Sequence, residues 1–127
     1  MTTAPTELQL FELRDQLQRW RYPTLTESAL QANVELALRL LKINYRREWR
    51  LSGEAGRVDF WLPDSRLFIE CKISQPWTTV LRQLSRYCEA SETAGGLLIT
   101  RKHNHRDMPT ALHGKPLAVL WVGGMIS

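Results

Sequence analysis

The sequence predicts an α/β fold in which a mixed β-sheet is flanked by helices on its faces. Two observations lead to this prediction: three segments repeat apolar residues at helical spacing, and short apolar or alternating runs typical of strands lie between them. The predicted helices span residues 6–21, 27–42 and 77–92. The predicted strands span residues 44–51, 57–62, 67–73, 97–100 and 117–122. The resulting order, α-α-β-β-β-α-β-loop-β, fits one domain over residues 1–127.

The first helix, residues 6–21, is predicted to precede a core that spans residues 24–122. Pro23 ends this helix, because the residue before a proline avoids helical backbone angles. The second helix is predicted to open with a capping box, TLTE at 24–27, in which polar side chains bind the first free amides. Its inner side is then formed by Leu30, Val34, Ala37, Leu38 and Leu41.

Two segments outside the helices are rich in basic residues. Residues 44–51, NYRREWRL, alternate in the manner of an edge strand whose outer face is basic. Residues 101–106, RKHNHR, are expected to form a solvated basic loop. His103 and His105 lie in that loop without a third metal ligand nearby in sequence, so no metal site is predicted there.

Composition restricts the class of protein and its partners. The net charge is +4 and the isoelectric point is near 9.4, which favours an anionic partner such as nucleic acid. Cys71 and Cys88 form neither a disulfide framework nor a zinc motif. No apolar run approaches the ~20 residues of a membrane span, and the first residues lack the features of a signal peptide. We therefore expect no membrane partner and a cytoplasmic location.

The segment 57–73 carries charges where strands seldom have them. Asp is depleted in strands, and the charges of LFIECKI must be solvated, paired or bound to a ligand. Because side chains alternate with a period of two, each strand has one polar and one apolar face. The polar face of the two strands carries Arg57, Asp59, Trp61, Phe68, Glu70 and Lys72.

The register of this hairpin decides which charges meet. If Leu62 pairs with Leu67, antiparallel partners sum to 129 and Asp59 lies opposite Glu70. A tighter turn that pairs Leu62 with Ser65 would shift the partners by two and keep every side chain on its face. In either register two carboxylates and a lysine converge on one face, in an arrangement that suits a metal ion.

The charges of the hairpin also have a purely structural interpretation. Arg57, Asp59, Glu70 and Lys72 could form ion pairs across a solvated sheet face, with little effect on stability. The hairpin alone does not separate this lattice from a metal site.

The second helix places Glu27, Gln31 and Glu35 along one side at steps of four residues. Glu35 has apolar neighbours in sequence and is expected at the edge of the buried face. Its plain interpretation is an i, i+4 pair with Arg39, worth a few tenths of a kcal/mol. The helix alone favours that interpretation.

Taken together, the polar residues resemble the PD-(D/E)XK nuclease superfamily. The matching pattern is a helical Glu35, then Asp59 on a strand, then Glu70-Cys71-Lys72 on the next strand. A later segment, QLSRY at 83–87, is similar to the Gln-x-x-x-Tyr element of RecB-like and lambda-exonuclease-like members. Small resolvases are similar in size. The resemblance covers about residues 27–122; it departs from the family in having valine before Asp59 and in lacking the cysteines of the iron–sulfur branch.

The resemblance implies a restriction-endonuclease-like core, α-β-β-β-α-β, over residues 24–122 after the extra N-terminal helix. It implies a DNA nuclease that hydrolyses phosphodiester bonds with Mg²⁺ or Mn²⁺. Asp59, Glu70 and the backbone carbonyl of Cys71 would bind the metal, and Lys72 would orient or activate the attacking water. Glu35 would complete the first metal site or help to bind a second metal. Hard oxygen ligands suit Mg²⁺, and a divalent metal both neutralises the phosphate and generates hydroxide near neutral pH.

Further residues would support the site or contact DNA. Gln83 and Tyr87, one helical turn apart, would brace the site or touch the DNA strand; a packed tyrosine and a surface glutamine remain an equal alternative. Basic side chains near the hairpin would contact phosphates. These are Arg46, Arg47, Arg50, Arg86, Arg101 and Lys102.

Three functions therefore follow from the sequence, in order of preference. The first is a small DNA nuclease, expected to act as a homodimer because so small a core grips a duplex poorly, and typical of a phage or mobile element. A phage enzyme would work in the host cytoplasm. The second is a nucleic-acid- or partner-binding module that keeps the fold without cutting. The third is an unrelated α/β protein with an ion-pair lattice.

Overall fold

The computed structural model describes residues 5–23 and 26–123 and confirms an α/β fold with a mixed sheet and three helices. Thr24, the predicted start of the capping box and of the core, lies outside the described residues. The helices are α1 (Pro5–Gln18), α2 (Glu27–Leu40) and α3 (Trp77–Glu89). The strands are β1 (Arg46–Arg50), β2 (Arg57–Leu62), β3 (Leu67–Lys72), β4 (Gly95–Thr100), β5 (Ala111–Leu112) and β6 (Lys115–Trp121).

The strands form one six-stranded sheet in the order β1-β2-β3-β4-β6-β5. The first three strands are antiparallel neighbours, whereas β3, β4 and β6 run parallel. The chain therefore crosses from β3 to β4 through α3, as parallel neighbours require. The sequence did not predict β5 or the short 3₁₀-helix His103–Asp107, since both are too short to show a periodic pattern.

Local contacts set the ends of the helices. Thr26 is the N-cap of α2, with its hydroxyl accepting a hydrogen bond from the amide of Ala29 at 3.1 Å. Helix α1 ends at Gln18, earlier than predicted, and the Tyr22 hydroxyl then donates to the carbonyl of Leu17 at 2.8 Å. This bond satisfies one of the last carbonyls of the helix. None of the described helices is long and apolar enough to cross a membrane.

The sheet has an apolar core on each face. One core joins the sheet to α1 and α2, and its largest fully buried side chains include Leu10, Leu17, Leu30, Leu38 and Phe60. The other joins the sheet to α3 and includes Phe68, Leu84, Tyr87 and Leu98. At the start of β4, a Cβ on Gly96 would overlap the ring of Phe68 on the neighbouring strand β3. Only glycine leaves room for that ring at this position.

The predicted register of the β2–β3 hairpin is confirmed where the strands pair. Leu62 lies opposite Leu67, and the next two pairs continue the same sum of 129. The tighter turn, with Leu62 opposite Ser65, is therefore wrong. The amide of Arg66, which has a φ of 60°, closes the turn on the carbonyl of Leu62 at 2.8 Å.

The alternation of faces breaks beside Asp59 on β2, and the residue opposite on β1 has an unusual backbone angle. Phe60 packs in the core against α2, but Val58 packs in the core against α3, whereas strict alternation predicts one shared face. On β1, Glu48 has a φ of 49° at the position opposite Asp59, between the pairs Arg47–Phe60 and Trp49–Val58. Left-handed backbone is costly for a non-glycine residue and tends to occur at functional sites.

Candidate active site

Asp59 and Glu70 mark the point at which regular pairing between β2 and β3 ends. The last recorded pair is Phe60–Ile69. Beyond it, the amide of Asp59 donates to Oε1 of Glu70 at 3.1 Å, and the amide of Cys71 donates to Oδ2 of Asp59 at 2.8 Å. Each carboxylate therefore takes the place of a backbone acceptor on the neighbouring strand, and this exchange fixes both carboxylates in the gap.

The backbone carbonyl of Cys71 faces the same gap. In a strand, the N–H and C=O of one residue point to the same neighbour. The N–H of Cys71 points toward β2 because it donates to Asp59, so its carbonyl points toward β2 as well. On the other side of β3, the carbonyl of Lys72 accepts from the amide of Arg101 at 3.2 Å, which agrees with this alternation.

Lys72 and Glu70 form a buried ion pair rather than an exposed one. Nζ of Lys72 lies 3.3 Å from Oε2 of Glu70, and the two side chains are 5% and 2% exposed. A lattice of ion pairs on a solvated sheet face therefore does not describe these charges. Removing one member of a buried pair leaves the other charge without compensation, which is strongly destabilising.

Burial perturbs both carboxyl groups. Burial first, and then the charge of Asp59, raise the pKa of Glu70 to about 8, although Lys72 opposes the shift. Burial also raises the pKa of Asp59, against the opposing effects of the Cys71 amide and of Lys72. A divalent cation would offset the cost of holding two carboxylates together in a buried gap, because it favours the charged form of both.

Tyr87 and Gln83 of α3 hold one side of Glu70. The Tyr87 hydroxyl lies 2.9 Å from the carbonyl of Arg57 and 3.3 Å from Oε2 of Glu70, so its single proton is donated to one of the two at a time. Nε2 of Gln83 donates to the same hydroxyl at 2.7 Å. Burial, and then the charge of Glu70, raise the pKa of Tyr87. The tyrosine thus stays a neutral donor beside the carboxyl group.

Glu35 is held in a separate network on the outer side of α2. It accepts from the Tyr45 hydroxyl at 2.6 Å, from Arg47 at 2.9 Å and from Arg39 at 3.3 Å. The i, i+4 pair with Arg39 that the sequence suggested is therefore present. The hydrogen bond from Tyr45, followed by the charges of the arginines, lowers the pKa of Glu35. Its oxygens are thus committed to these three partners.

The helical carboxylate whose charge acts on Asp59 is Glu27, which the sequence analysis did not select. Burial is the main cause that raises the pKa of Asp59 and of the Cys71 thiol, and the charge of Glu27 adds to it. Glu27 opens α2 and is half-buried. The sequence signal was the spacing of four residues from Glu27 through Gln31 to Glu35, which puts all three on one side of the helix but does not say which end meets the gap.

The donors in the gap fit a magnesium ion with few protein ligands. Mg²⁺ is commonly held by one or two carboxylates, with waters and substrate phosphates completing the octahedron. Asp59 and Glu70 provide two carboxylates, and the Cys71 carbonyl adds one more hard oxygen ligand. Over residues 5–23 and 26–123, no cluster of three or more His, Cys, Asp or Glu side chains is arranged to hold a metal, so a cage built only of side chains is not present.

The predicted phosphate-contacting residues fall into three groups. Arg46, Arg47 and Arg50 lie together on the exposed strand β1. Near the end of β4, Nζ of Lys102 donates to the carbonyl of Ser74 at 3.4 Å, close to the end of β3, and Arg101 follows the same strand. Arg86 is exposed on α3 and borders a cavity of about 340 Å³ formed with residues 52–55 and 89–91.

His105 does not lie in a solvated loop as predicted. It is fully buried, with Nδ1 2.7 Å from the Thr100 hydroxyl and Nε2 2.8 Å from the carbonyl of Gln75. Burial lowers the pKa of His105. The prediction failed because a histidine among arginines and lysines looks solvated in sequence, whereas one of its two bonds is to Gln75, which is 30 residues away.

A separate cavity of about 580 Å³ lies between α1 and β6. Glu7, Phe11, Arg14 and Arg106 are among the residues that line it. None of the predicted site residues borders this cavity. The chemistry suggested by the sequence therefore belongs to the gap between β2 and β3.

In EDTA, we expect the stability that protonation of Glu70 contributes to be fully present below about pH 4.5 and to be lost as pH rises to about 8. Over this window Glu70 binds more protons in the folded state than in the unfolded state, because folding raises the pKa of its carboxyl group. Glu70→Gln should flatten the dependence of the melting temperature on pH. Glu12→Gln, an exposed substitution on α1, is the control and should keep the slope; equal slopes for wild type and Glu70→Gln would contradict the expectation.

Comparison of the chain with models of known protein families, with curated protein sequences and with solved structures found no match. The resemblance drawn from the sequence thus rests on the residues of the gap and on the order of the elements. A function for this chain has to be argued from that geometry.

Proposed function

We propose that this chain is a metal-dependent DNA nuclease with a restriction-endonuclease-like core of the PD-(D/E)XK type over residues 24–122. The observation that carries the proposal is the meeting of Asp59, Glu70 and the Cys71 carbonyl where the β2–β3 ladder ends. Nζ of Lys72 lies 3.3 Å from Glu70 beside this gap. The buried Glu70 and the half-buried Asp59 are two carboxylates that a bound metal would stabilise, and Lys72 beside them is a donor for a reacting water.

Each residue has a distinct role in the proposed hydrolysis. A bound Mg²⁺ or Mn²⁺ would neutralise the scissile phosphate and lower the pKa of a coordinated water. Asp59, Glu70 and the Cys71 carbonyl would hold it. Lys72, positioned by Glu70, would orient the attacking water toward phosphorus or take up its proton. Tyr87 would fix the orientation of the Glu70 carboxyl group, with Gln83 behind it.

We further propose that Glu27, rather than Glu35, is the α2 carboxylate of the site. The support is electrostatic, since the charge of Glu27 acts on Asp59 while the oxygens of Glu35 bind Tyr45, Arg39 and Arg47. Glu27 would act through a metal-bound water or a second metal. Glu35 would instead keep Arg47 in place at the edge of the site.

DNA is the proposed partner because basic residues lie on both sides of the gap: those of β1 are exposed, and Lys102 is half-buried. Strand β1 borders β2, and Lys102 lies near the end of β3. A second copy of the chain remains part of the proposal, since one small core leaves little surface with which to grip a duplex. Sedimentation that shows a strict monomer on DNA would remove the dimer and leave the nuclease untouched.

The alternative function is a module that binds nucleic acid without cutting it. It is favoured by the direct Lys72–Glu70 pair, because a charge pair that already compensates itself needs no metal. Under this alternative the gap would be a structural device, and DNA binding would not depend on a divalent ion. Cleavage assays with and without metal distinguish the two functions.

Lys72→Met should lower the rate of metal-dependent cleavage by at least about 100-fold, because that is the usual contribution of a positioned acid or base. The assay uses labelled single-stranded, linear duplex, nicked and branched DNA with Mg²⁺, Mn²⁺ or EDTA. Methionine keeps an unbranched side chain of nearly the same length without the amine, and thermal melting checks that the variant is folded. Arg19→Ala, which changes an exposed residue directly after the end of α1, is the control. Cleavage by wild type in EDTA would contradict the mechanism, and so would cleavage by Lys72→Met at the wild-type rate.

Glu27→Gln and Glu35→Gln form a matched pair on one helix and should behave differently. Glu27→Gln should weaken activation by Mg²⁺, because it removes a charge that acts on Asp59, and should change the melting temperature little. Glu35→Gln should mainly lower the melting temperature, because the Tyr45, Arg39 and Arg47 bonds lose their charged acceptor. The measurements are cleavage rate against Mg²⁺ concentration and thermal melting. The reverse pattern would restore Glu35 as the site residue.

A further inference from the structure

The composition of strand β1 suits contact with a ligand better than burial in an apolar core. All five of its residues, RREWR, are exposed, although every one of them except Glu48 pairs with a residue of β2. Trp49 is 40% exposed and belongs to neither apolar core. Burial of side chains therefore does not explain why this strand carries a tryptophan and three arginines.

The charges at the end of this strand indicate an anionic ligand. Arg50 lies directly opposite Arg57 of β2, and both side chains are exposed. Like charges on facing residues destabilise a pair of strands. Neither guanidinium forms an ion pair with a carboxylate in the part of the chain that the structure describes. A phosphate backbone would neutralise both.

The position of Trp49 places an exposed ring close to the gap. Trp49 pairs with Val58, the residue before Asp59. With strands about 4.8 Å apart and residues about 3.3 Å apart, the Cα atoms of Trp49 and Asp59 are separated by about 6 Å. Along a stacked strand, nucleotides repeat every 3.4 Å or so, which puts the ring within about two or three nucleotides of the proposed scissile phosphate.

We propose that a single-stranded DNA segment crosses the exposed edge strand β1 immediately beside the Asp59–Glu70 gap. Trp49 stacks on an unpaired base from one face of the strand, while Arg50 and Arg57, whose side chains leave the opposite face, contact phosphates of the same segment. This inference rests on the proposed nuclease function and names its substrate class: DNA with an unpaired segment next to the cleaved bond. Aromatic rings combined with a basic track are the usual means of holding single strands without regard to sequence.

A duplex suits this surface less well than a single strand. The faces of the bases in a duplex are covered by their neighbours, so a ring beside the helix finds no base to stack on. The two arginines could contact phosphates of either form. The preference for single-stranded over duplex DNA therefore depends on Trp49, and its removal should lower the affinity for single strands selectively.

The test measures binding of fluorescein-labelled oligothymidine, about 15 nucleotides long, by fluorescence polarisation in EDTA, where the proposed cleavage cannot occur. Trp49→Ala should weaken binding by about 5- to 150-fold, and Trp49→Phe should retain most of the affinity because it keeps a stacking ring. Affinity for a blunt duplex of the same length should not change. Leu8→Ala, which alters a 51% exposed side chain on α1, should match wild type on both probes.

A second arm tests the arginines. Replacing Arg50 and Arg57 together by glutamine should reduce the slope of log affinity for oligothymidine against log salt by about 1.4, if each arginine neutralises one phosphate. An unchanged salt slope would remove the arginines from the contact surface.

The possible outcomes separate this inference from the nuclease proposal. If Trp49→Ala binds oligothymidine as wild type does, or loses equal affinity for both probes, stacking on an unpaired base is wrong, even where wild type cuts DNA with Mg²⁺. If wild type cuts nothing, but Trp49→Ala selectively loses affinity for the single strand, the binding surface stands and the nuclease proposal fails.

Discussion

The structure depends on one local exchange, in which carboxylates replace backbone carbonyls as hydrogen-bond acceptors between β2 and β3. The amides of Asp59 and Cys71 would otherwise lose their partners where the strands separate, and buried unpaired amides are costly. Glu70 and Asp59 accept these two amides instead. The gap is thereby stabilised without closing, and two acidic groups are held in it with a raised pKa.

The surrounding elements serve this gap from three sides. On one side, α3 supplies Tyr87, whose hydroxyl touches Glu70 and the carbonyl of Arg57. On the opposite face of the sheet, the two acidic residues of α2 act on different partners. Glu35 holds Arg47 and Tyr45, while the charge of Glu27 acts on Asp59. On the third side lies the exposed strand β1, where the left-handed backbone of Glu48 coincides with the break in alternation beside Asp59.

The sequence predicted those features that depend on period and spacing. The order of the main elements and the Leu62–Leu67 register follow from alternation and turn length, which are local properties. The break in alternation at Asp59 was not predictable, since it arises from hydrogen bonds between strands. Glu27 and Glu35 are equivalent by spacing, and only the packing of α2 on the sheet separates them. His105 was misjudged for the same reason, because its bond to the distant Gln75 is tertiary.

The central claim is that the Asp59–Glu70 gap binds a divalent metal in exchange for protons. Isothermal titration calorimetry of Mn²⁺ into the protein, in buffers of different ionisation enthalpy, measures that exchange directly. Because the pKa of Glu70 is about 8, binding at pH 7 should release about one proton, the release should decline toward pH 9, and Glu70→Gln should abolish it. Wild type that binds no Mn²⁺, or binds it without proton release at pH 7, would contradict the account.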